Sequence, residues 1–348
     1  MDRAVIAFTS DGTGGHVYPV LAVAQELDEV DRFFLTSKDR EDAYIVPKYG
    51  FDRIEITVVR RRLLTWVKGF RFARRTLKER RVKGLVSGGG FFTLPIVLAA
   101  YSLGIPVFLL EQNALPGRVN RVLQVFADRV FLSFEESKRY FSGKKPVVVG
   151  NPIRREFLSD PGFEAFRNED LSSGRKLLVF GGSQGSSAIN DLMSSHYFDF
   201  VIGEQVLVHI TGRPWYKKNY GTASHTCLRN QDGQIKVIIL PYFERMDYLY
   251  EISDVVLCRA GATSIAELLY FNKPAVLIPY PYAKDGHQDV NAALFIEKGA
   301  GIVLQEADMS LDAVLRAAQC VSKIGLDQAP VSNARRLVAD EIRRVVGC

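Results

Sequence analysis

Five short stretches of this chain set glycines, hydroxyls, amides and charged groups in patterns that hold phosphate or sugar. The first is SDGTGGHVYP, residues 10–19. Gly12, Gly14 and Gly15 follow the apolar run Ala4–Phe8, and His16 opens the helix-like segment that continues as VLAVAQEL. Glycines at such a turn admit positive φ and close approach of a ligand to the backbone. A histidine at its edge can accept a hydroxyl proton near neutral pH. The plainer alternative is a tight strand-to-helix turn with His16 satisfied inside it. Dinucleotide binding is disfavoured: the third glycine of GxGxxG is replaced by Val17, and FFLTSK ends the next run with Ser37 and Lys38 instead of an acid.

A second glycine cluster, VSGGGFFTLP (86–95), also lies between a strand-like and a helix-like run. Together the two loops suggest a ligand that reaches both, such as a diphosphate on helix N-termini; ordinary turns explain them equally well. GGSQGS (181–186) offers backbone N–H groups and the Ser183 hydroxyl. In DVVLCRAGATSIAELL, Thr263 and Ser264 stand where an N-cap is expected, with Glu267 about a turn further on. That spacing reads either as a capping box or as a helix N-terminus aimed at phosphate, with Glu267 accepting from ribose hydroxyls. In YPYAKDGHQDVNAALF, Asp285, Gln288 and Asn291 can hydrogen-bond a sugar, or can simply solvate a helix start.

Elements that would position these groups recur along the chain. Runs rich in β-branched and aromatic residues appear at AVIAF, RFFLTS, KGLVSG, IPVFLLE and DRVFLSF. They restart after residue 170 as KLLVFGG, EQVLVHITG, IKVIILP, DVVLC and PAVLIPY. Strands alternating with helices predict parallel sheets covered on both faces. VIAFTSDGTGGH and LLVFGGSQGS lie half a chain apart, so the natural reading is two Rossmann-like halves, with a cleft facing the C-terminal ends of both sheets. The polar, turn-rich stretch from Asn151 to Gly174 reads as the linker. The expected domains are 1–155 and 156–332, with an amphipathic terminal helix in 333–348 packing back on the first.

The 348 residues suit two domains, and 47% apolar with 24% charged is a soluble globular composition. Met1–Arg3 lead directly into a strand, which reads as no signal peptide. The longest apolar stretch, Leu94–Leu110, is broken by Pro95, Gly104 and Pro106 and predicts a helix followed by a buried strand, not a membrane span. The four cysteines form no CxxC pair, so no zinc site or disulfide framework is indicated. A net charge of +6 favours anionic partners. Much of it comes from residues 60–81, where ten Lys or Arg face one acid, Glu79. Leu63, Val67 and Phe70 are spaced to share a helix face there, with Trp66 adjoining. This pattern suits the headgroup region of an anionic bilayer through residues 63–75, although a core helix with a basic solvated side has the same pattern. A nucleic-acid-binding protein is a weaker reading, because no helix-turn-helix or RNA motif accompanies the basic run.

Taken in order, GTGGHVYPVLAVAQEL, GLVSGGGFFTLPIVLAAYSLGIPVFLLEQNALPGRVNRVL, VVGNPIRREF, GGSQGS and RAGATSIAELL…P…KDGHQDVNA resemble the MurG family, whose members convert lipid I to lipid II in peptidoglycan synthesis. The resemblance implies an α/β GT-B fold of two Rossmann-like domains, the second holding UDP-GlcNAc. It implies an inverting transfer of GlcNAc to the muramyl C4 hydroxyl of lipid I, without metal or cofactor, at the cytoplasmic face of the membrane. It places Thr13, Gly14, Gly15 and Asn113 near the donor sugar and reaction centre, and His16 as base or acceptor-orienting group. Arg154 and Ser183 would contact the donor, with Arg154 also a cation for the leaving diphosphate. The segment at Phe243 would lie against uracil. Ala262, Thr263, Ser264, Ile265, Ala266 and Glu267 would take diphosphate and ribose, and Gln288 the GlcNAc ring. Three departures stand out: Asp11 replaces a glycine, a substitution that a left-handed backbone would tolerate, Phe91 a tyrosine, and His287 a glutamine. Other GT-B enzymes, a glycolipid synthase or a UDP-sugar epimerase, remain alternatives; for the epimerase Glu111 is the one clear carboxylate.

Overall fold

The computed structural model describes all residues except 1–2, 13, 60–61, 143–145, 155–173, 202–204, 322–332 and 348. The chain divides into two compact units, Met1–Glu156 with Ser332–Cys348, and Phe157–Val331.

In the first unit β1 (Val5–Thr9), α1 (Gly14–Glu26), β2 (Asp31–Thr36), α2 (Glu41–Lys48), β3 (Asp52–Glu55), α3 (Leu63–Glu79) and β4 (Gly84–Ser87) alternate. They are followed by α4 (Leu94–Ser102), β5 (Val107–Glu111), α5 (Arg118–Leu123), β6 (Arg129–Leu132) and β7 (Val147–Val148). The sheet runs β3-β2-β1-β4-β5-β6-β7 with every pair parallel. Central strands are buried on both faces, which is why they read as unbroken apolar runs. One face packs against Ala73 and Leu77 of α3 and Ile96 and Val97 of α4. The other packs against Val17, Leu21 and Ala24 of α1 and Val46 of α2. Pro95 sits in the first turn of α4, where no intrahelical N–H bond is lost.

The second unit contains β8 (Lys176–Phe180), α6 (Ser187–Ser195), β9 (Val206–Ile210), α7 (Arg213–Tyr220), β10 (Thr226–Arg229), β11 (Ile235–Leu240) and α8 (Met246–Ile252). It continues through β12 (Val255–Cys258), α9 (Ala262–Tyr270), β13 (Ala275–Leu277), α10 (His287–Glu297), β14 (Gly301–Val303) and α11 (Leu311–Val321). Its order is β10-β11-β9-β8-β12-β13-β14. All its pairs are parallel except β10–β11, so the expectation of wholly parallel sheets fails at this one edge. Discounting β10, both sheets have the doubly wound order, with the direction of winding reversing between β1 and β4 in one unit and between β8 and β12 in the other.

The final helix, α12 (Ala334–Val346), belongs to the first unit. Val338, Ala339 and Ile342 are fully buried against the β1–β2 face. Arg335 reaches Glu26 and Arg343 reaches Glu29, each at 2.6 Å, both at the C-terminal end of α1. Glu341 bonds Arg344 on its own helix and Arg129 of β6; the two guanidiniums hold its carboxyl down at about 2.

Candidate active site

Ligands of doubly wound sheets bind beyond the strand C-termini, where the winding reverses. Four of the glycine motifs fall there. Residues 10–13 follow β1, 88–90 follow β4, 181–186 follow β8 and 259–261 follow β12.

In the first unit the two loops are packed onto each other. A Cβ at Gly88 would meet the His16 carbonyl, one at Gly89 the Asn120 amide, and one at Gly90 the Asp11 side chain. Asp11 also accepts from the Phe91 amide at 2.9 Å and pairs with Arg40. The Gly14 amide, at the N-terminus of α1, donates to the Glu41 carboxylate at 2.7 Å. A protein carboxylate and the facing loop therefore take the groups expected to cradle a diphosphate, and the 88–90 cluster exists to let the loops touch. The left-handed residue is Gly12 (φ +52°) and not Asp11, so the loop accommodates Asp at this position without calling on its left-handed tolerance. Thr13 lies outside the described residues. Gly15 is exposed, and the space where its side chain would be is open.

His16 is half-buried, with Nδ1 2.9 Å from the Gly88 carbonyl oxygen. A carbonyl can only accept, so Nδ1 carries the proton and Nε2 the lone pair of the neutral ring. Gln112 donates to the same carbonyl at 3.4 Å. Asn113 follows the end of β5, where Glu111 is 2% exposed. Glu111 Oε1 accepts from the Asn113 amide (3.0 Å) and side chain (3.4 Å), and Oε2 from the Gly117 amide (3.0 Å) and Asn120 (2.9 Å). Both of its oxygens are thus engaged in shaping residues 113–120. Arg154 is 6% exposed, stacks 4.0 Å above the Tyr18 ring and donates to the Tyr49 hydroxyl at 2.8 Å. Its guanidinium thus lies between Tyr18 of α1 and Tyr49 at the end of α2.

In the second unit Gly182–Gly185 forms a turn closed by Gly185 N–H to Gly182 O (3.0 Å), with Ser183 at its tip. Ser186 caps α6, accepting from the Ile189 amide. The N-cap of α9 is Gly261, not Thr263 or Ser264, so the helix starts at Ala262 with no side-chain cap. The capping-box reading fails, since Glu267 lies in the second turn. It is 6% exposed and accepts from the Tyr250 hydroxyl at 3.0 Å. Thr263, Ser264 and Ala266 are half-buried, and Ile265 is buried. Phe243 is 3% exposed, so its ring is not open for stacking. Gln288 Oε1 accepts from the Tyr280 amide at 2.9 Å, tying α10 to the loop after β13 and leaving its NH₂ group as a donor. Asn291, expected as a sugar contact, is wholly buried and donates to Ala260 O, while Asp285 is exposed in a left-handed turn.

One group was missed. Arg259, directly after β12 and 7% exposed, donates to Ile278 O (3.2 Å), Pro279 O (3.1 Å) and Ser186 Oγ (2.6 Å), and pairs with Glu306. A lone arginine between an apolar strand and a glycine helix start was the available signal.

Residues 6–132 match the glycosyltransferase family 28 N-terminal domain and residues 176–339 the glycosyltransferase family 28 C-terminal domain. The UDP-N-acetylglucosamine–N-acetylmuramyl-(pentapeptide) pyrophosphoryl-undecaprenol N-acetylglucosamine transferase of Halothermothrix orenii is 37% identical over 87% of this chain and 86% of its own. The Bacillus licheniformis enzyme of the same name is 33% identical over 90% and 88%. The crystal structure of Acinetobacter baumannii MurG superposes with a TM-score of 0.70 at 24% identity, covering 98% of this chain and 99% of that one. The chain accordingly has the GT-B fold and belongs to the MurG family of glycosyltransferase family 28, the N-acetylglucosamine transferases.

Proposed function

We propose how this chain performs the transfer for which its family is named. It moves GlcNAc from UDP-GlcNAc to the muramyl sugar of lipid I. The muramyl C4 hydroxyl attacks the anomeric carbon, its proton passes to His16 Nε2, and UDP departs from the opposite face with the former glycosidic electron pair. The observation that carries this reading is the His16 Nδ1–Gly88 O bond, which leaves the basic nitrogen as the unprotonated one at the edge of the first sheet.

The second unit holds the donor. The uncapped N-terminus of α9, at Ala262, Thr263 and Ser264, faces developing charge on the leaving diphosphate with its amides and dipole. Glu267 takes a ribose hydroxyl, the backbone at Phe243 takes uracil, Ser183 contacts the diphosphate side, and Gln288 the GlcNAc ring through its NH₂ group. Asn113, held by Glu111, orients the donor sugar at the reaction centre, and the loop with Gly14 and Gly15 serves the same centre. Arg154, stacked on Tyr18, is the cation for the leaving diphosphate.

Acceptor access is through the membrane surface. No described helix is long and apolar enough to cross a bilayer. On α3, however, Leu63 and Leu64 are 77% exposed, Val67 and Phe72 nearly half, among exposed Lys68, Arg71, Arg74, Arg75 and Lys78. The core side of α3 is Gly69, Ala73, Thr76 and Leu77. Trp66 packs edge-on against Phe91 at 4.2 Å and donates to Val59 O, and Phe70 lies against the core. The inserting groups are therefore Leu63, Leu64, Val67 and Phe72, not Trp66 and Phe70 as their spacing suggested. Peripheral docking on the cytoplasmic face of an anionic bilayer fits this arrangement and a role in cell-wall synthesis.

The test is transfer of labelled GlcNAc from UDP-GlcNAc to a short-chain lipid I analogue. A lipid-linked disaccharide with inverted configuration is expected. Release of free GlcNAc or an epimerised UDP-sugar, with no lipid product, would overturn the reading.

A further inference from the structure

The second sheet contains a buried polar relay. β9 reads Val-Leu-Val-His-Ile, and His209 in that strand has no exposed surface. Its Nδ1 lies 2.9 Å from the Tyr197 hydroxyl and its Nε2 3.0 Å from Asn190 Oδ1. An amide oxygen only accepts, so Nε2 carries the proton and Nδ1 accepts from Tyr197. Burial drives the ring down to about 3, so it is neutral at physiological pH. Asn190, itself 1% exposed, then donates through Nδ2 to Thr211 O at 2.7 Å.

The last two members of this relay, Asn190 and Thr211, adjoin the loops at the sheet's C-terminal edge. Asn190 lies in the first turn of α6, one turn after Ser186. Thr211 begins the turn after β9. The two turns are in backbone contact: a Cβ at Gly185 would strike Thr211 O, and one at Gly212 would lie 2.7 Å from Gln184 O. The position of the 182–185 turn, with Ser183 at its tip, thus depends on where Thr211 stands, and Asn190 fixes that distance. A packed apolar trio would fill the same volume but has no directional bond with which to set it. Fully satisfied buried networks rigidify what they connect.

We infer that His209 is a positioning residue: by orienting the Asn190 amide toward Thr211 O, it sets the Gly182–Gly185 turn for a nucleoside diphosphate. The inference rests on the donor-site reading above. Tyr197 satisfies the second ring nitrogen without touching Asn190 or Thr211 in the relay, and its loss leaves the turn in place.

Calorimetric binding of UDP and steady-state transfer are compared for the wild type and for His209→Gln, His209→Asn and Tyr197→Phe. Gln can place an amide N–H near the Nε2 position and keep the bond to Asn190; Asn can reach only the Nδ1 position. The expected result is a roughly tenfold rise in UDP Kd and donor KM for His209→Asn with kcat little changed. His209→Gln should stay near wild type. Tyr197→Phe should melt lower, with UDP Kd unchanged. Equal UDP affinity in all folded variants overturns the positioning role, as does an equal rise in Kd for Tyr197→Phe. If His209→Asn does not fold, Asn190→Ala carries the same comparison. A wild type that binds no UDP would instead overturn the donor-site reading.

Discussion

Replacing His16 separates a base from a brace. In His16→Ala two things vanish: the Nε2 lone pair and the Nδ1–H bond to Gly88 O. The second loss is small, because one neutral hydrogen bond contributes about 1 kcal/mol and less where half-exposed. Gln112 still donates to that carbonyl, so no acceptor is stranded. The first loss is large if the ring takes the acceptor proton. General bases contribute about 10²–10⁴-fold, which is about 2.7–5.5 kcal/mol of barrier. His16→Ala should lower kcat by that factor with little change in melting temperature and no change in UDP affinity, since the nucleotide contacts proposed above lie in the other unit. His16→Asn sharpens the test, because its amide can restore the bond to Gly88 O but cannot take a proton. It should stay as inactive as His16→Ala. Labelled-GlcNAc transfer and UDP calorimetry on the same preparations read both quantities. Recovery of turnover in His16→Asn, or near-full turnover in His16→Ala, refutes the base.

Glu267→Ala should raise KM for UDP-GlcNAc by about tenfold or more, the worth of a hydrogen bond to a charged group at roughly 1.5–3 kcal/mol. Tyr250→Phe, which removes only the hydroxyl donated to Glu267, should not, and unaltered UDP binding by Glu267→Ala would make that carboxylate purely structural. Replacing Arg71, Arg74 and Arg75 together by Glu should abolish sedimentation with phosphatidylglycerol vesicles, since each cation near the surface contributes about 1 kcal/mol. Equal sedimentation of mutant and wild type would end the docking proposal for α3, whereas wild-type binding should weaken but persist in high salt through Leu63, Leu64, Val67 and Phe72. Stability should fall on acidification: His209 is held down to about 3 in the folded state, so below its ordinary value near 6.5 only the unfolded chain gains its proton. The slope is up to about 1.4 kcal/mol per pH unit between those limits. Denaturant titrations from pH 7 to pH 4.5 should show a shallower slope in His209→Gln, and parallel slopes would contradict the burial argument.

The strands that were legible are those buried on both faces, where a sheet interior demands unbroken apolar runs. The four that were not legible, DRIE of β3, VV of β7, TCLR of β10 and GIV of β14, all sit at or beside sheet edges, half-covered, with no such demand. The glycine loops were found because a doubly wound sheet puts its ligand turns after particular strands, but their internal wiring was hidden. Nothing local says that Glu41 reaches Gly14, or that Gly90 is glycine because Asp11 stands against it. The first spans 27 residues of chain, and the Asp11 bond to the next residue's amide, Phe91, spans 80. The N-cap of α9 was misplaced for the opposite reason: hydroxyls at 263 and 264 resemble caps locally, while the turn after β12 begins the helix at Ala262. Arg154 and Arg259 show how charge misleads without burial. The packing of the first on Tyr18 and Tyr49 could not be read from GNPIR, and the second went unnoticed inside an apolar stretch.

The return of α12 to the first unit has a consequence for how the chain is made. The other described helices on that face, α1 and α2, precede residue 49, but the surface that Val338, Ala339 and Ile342 cover stays open until those residues, some 300 positions later, have been synthesised. The second unit is continuous in sequence and has no such wait. Folding order on the ribosome is thereby inverted for this pair: the later-translated unit can close first, and the earlier one carries an exposed apolar stripe along α1 for most of elongation. Contacts of such long sequence separation form slowly, and partly built domains of this kind are where aggregation begins. The ion pairs from Arg335 to Glu26 and from Arg343 to Glu29 then act as the fastening of a late-arriving piece, set at the end of α1 where they select the register in which α12 seats.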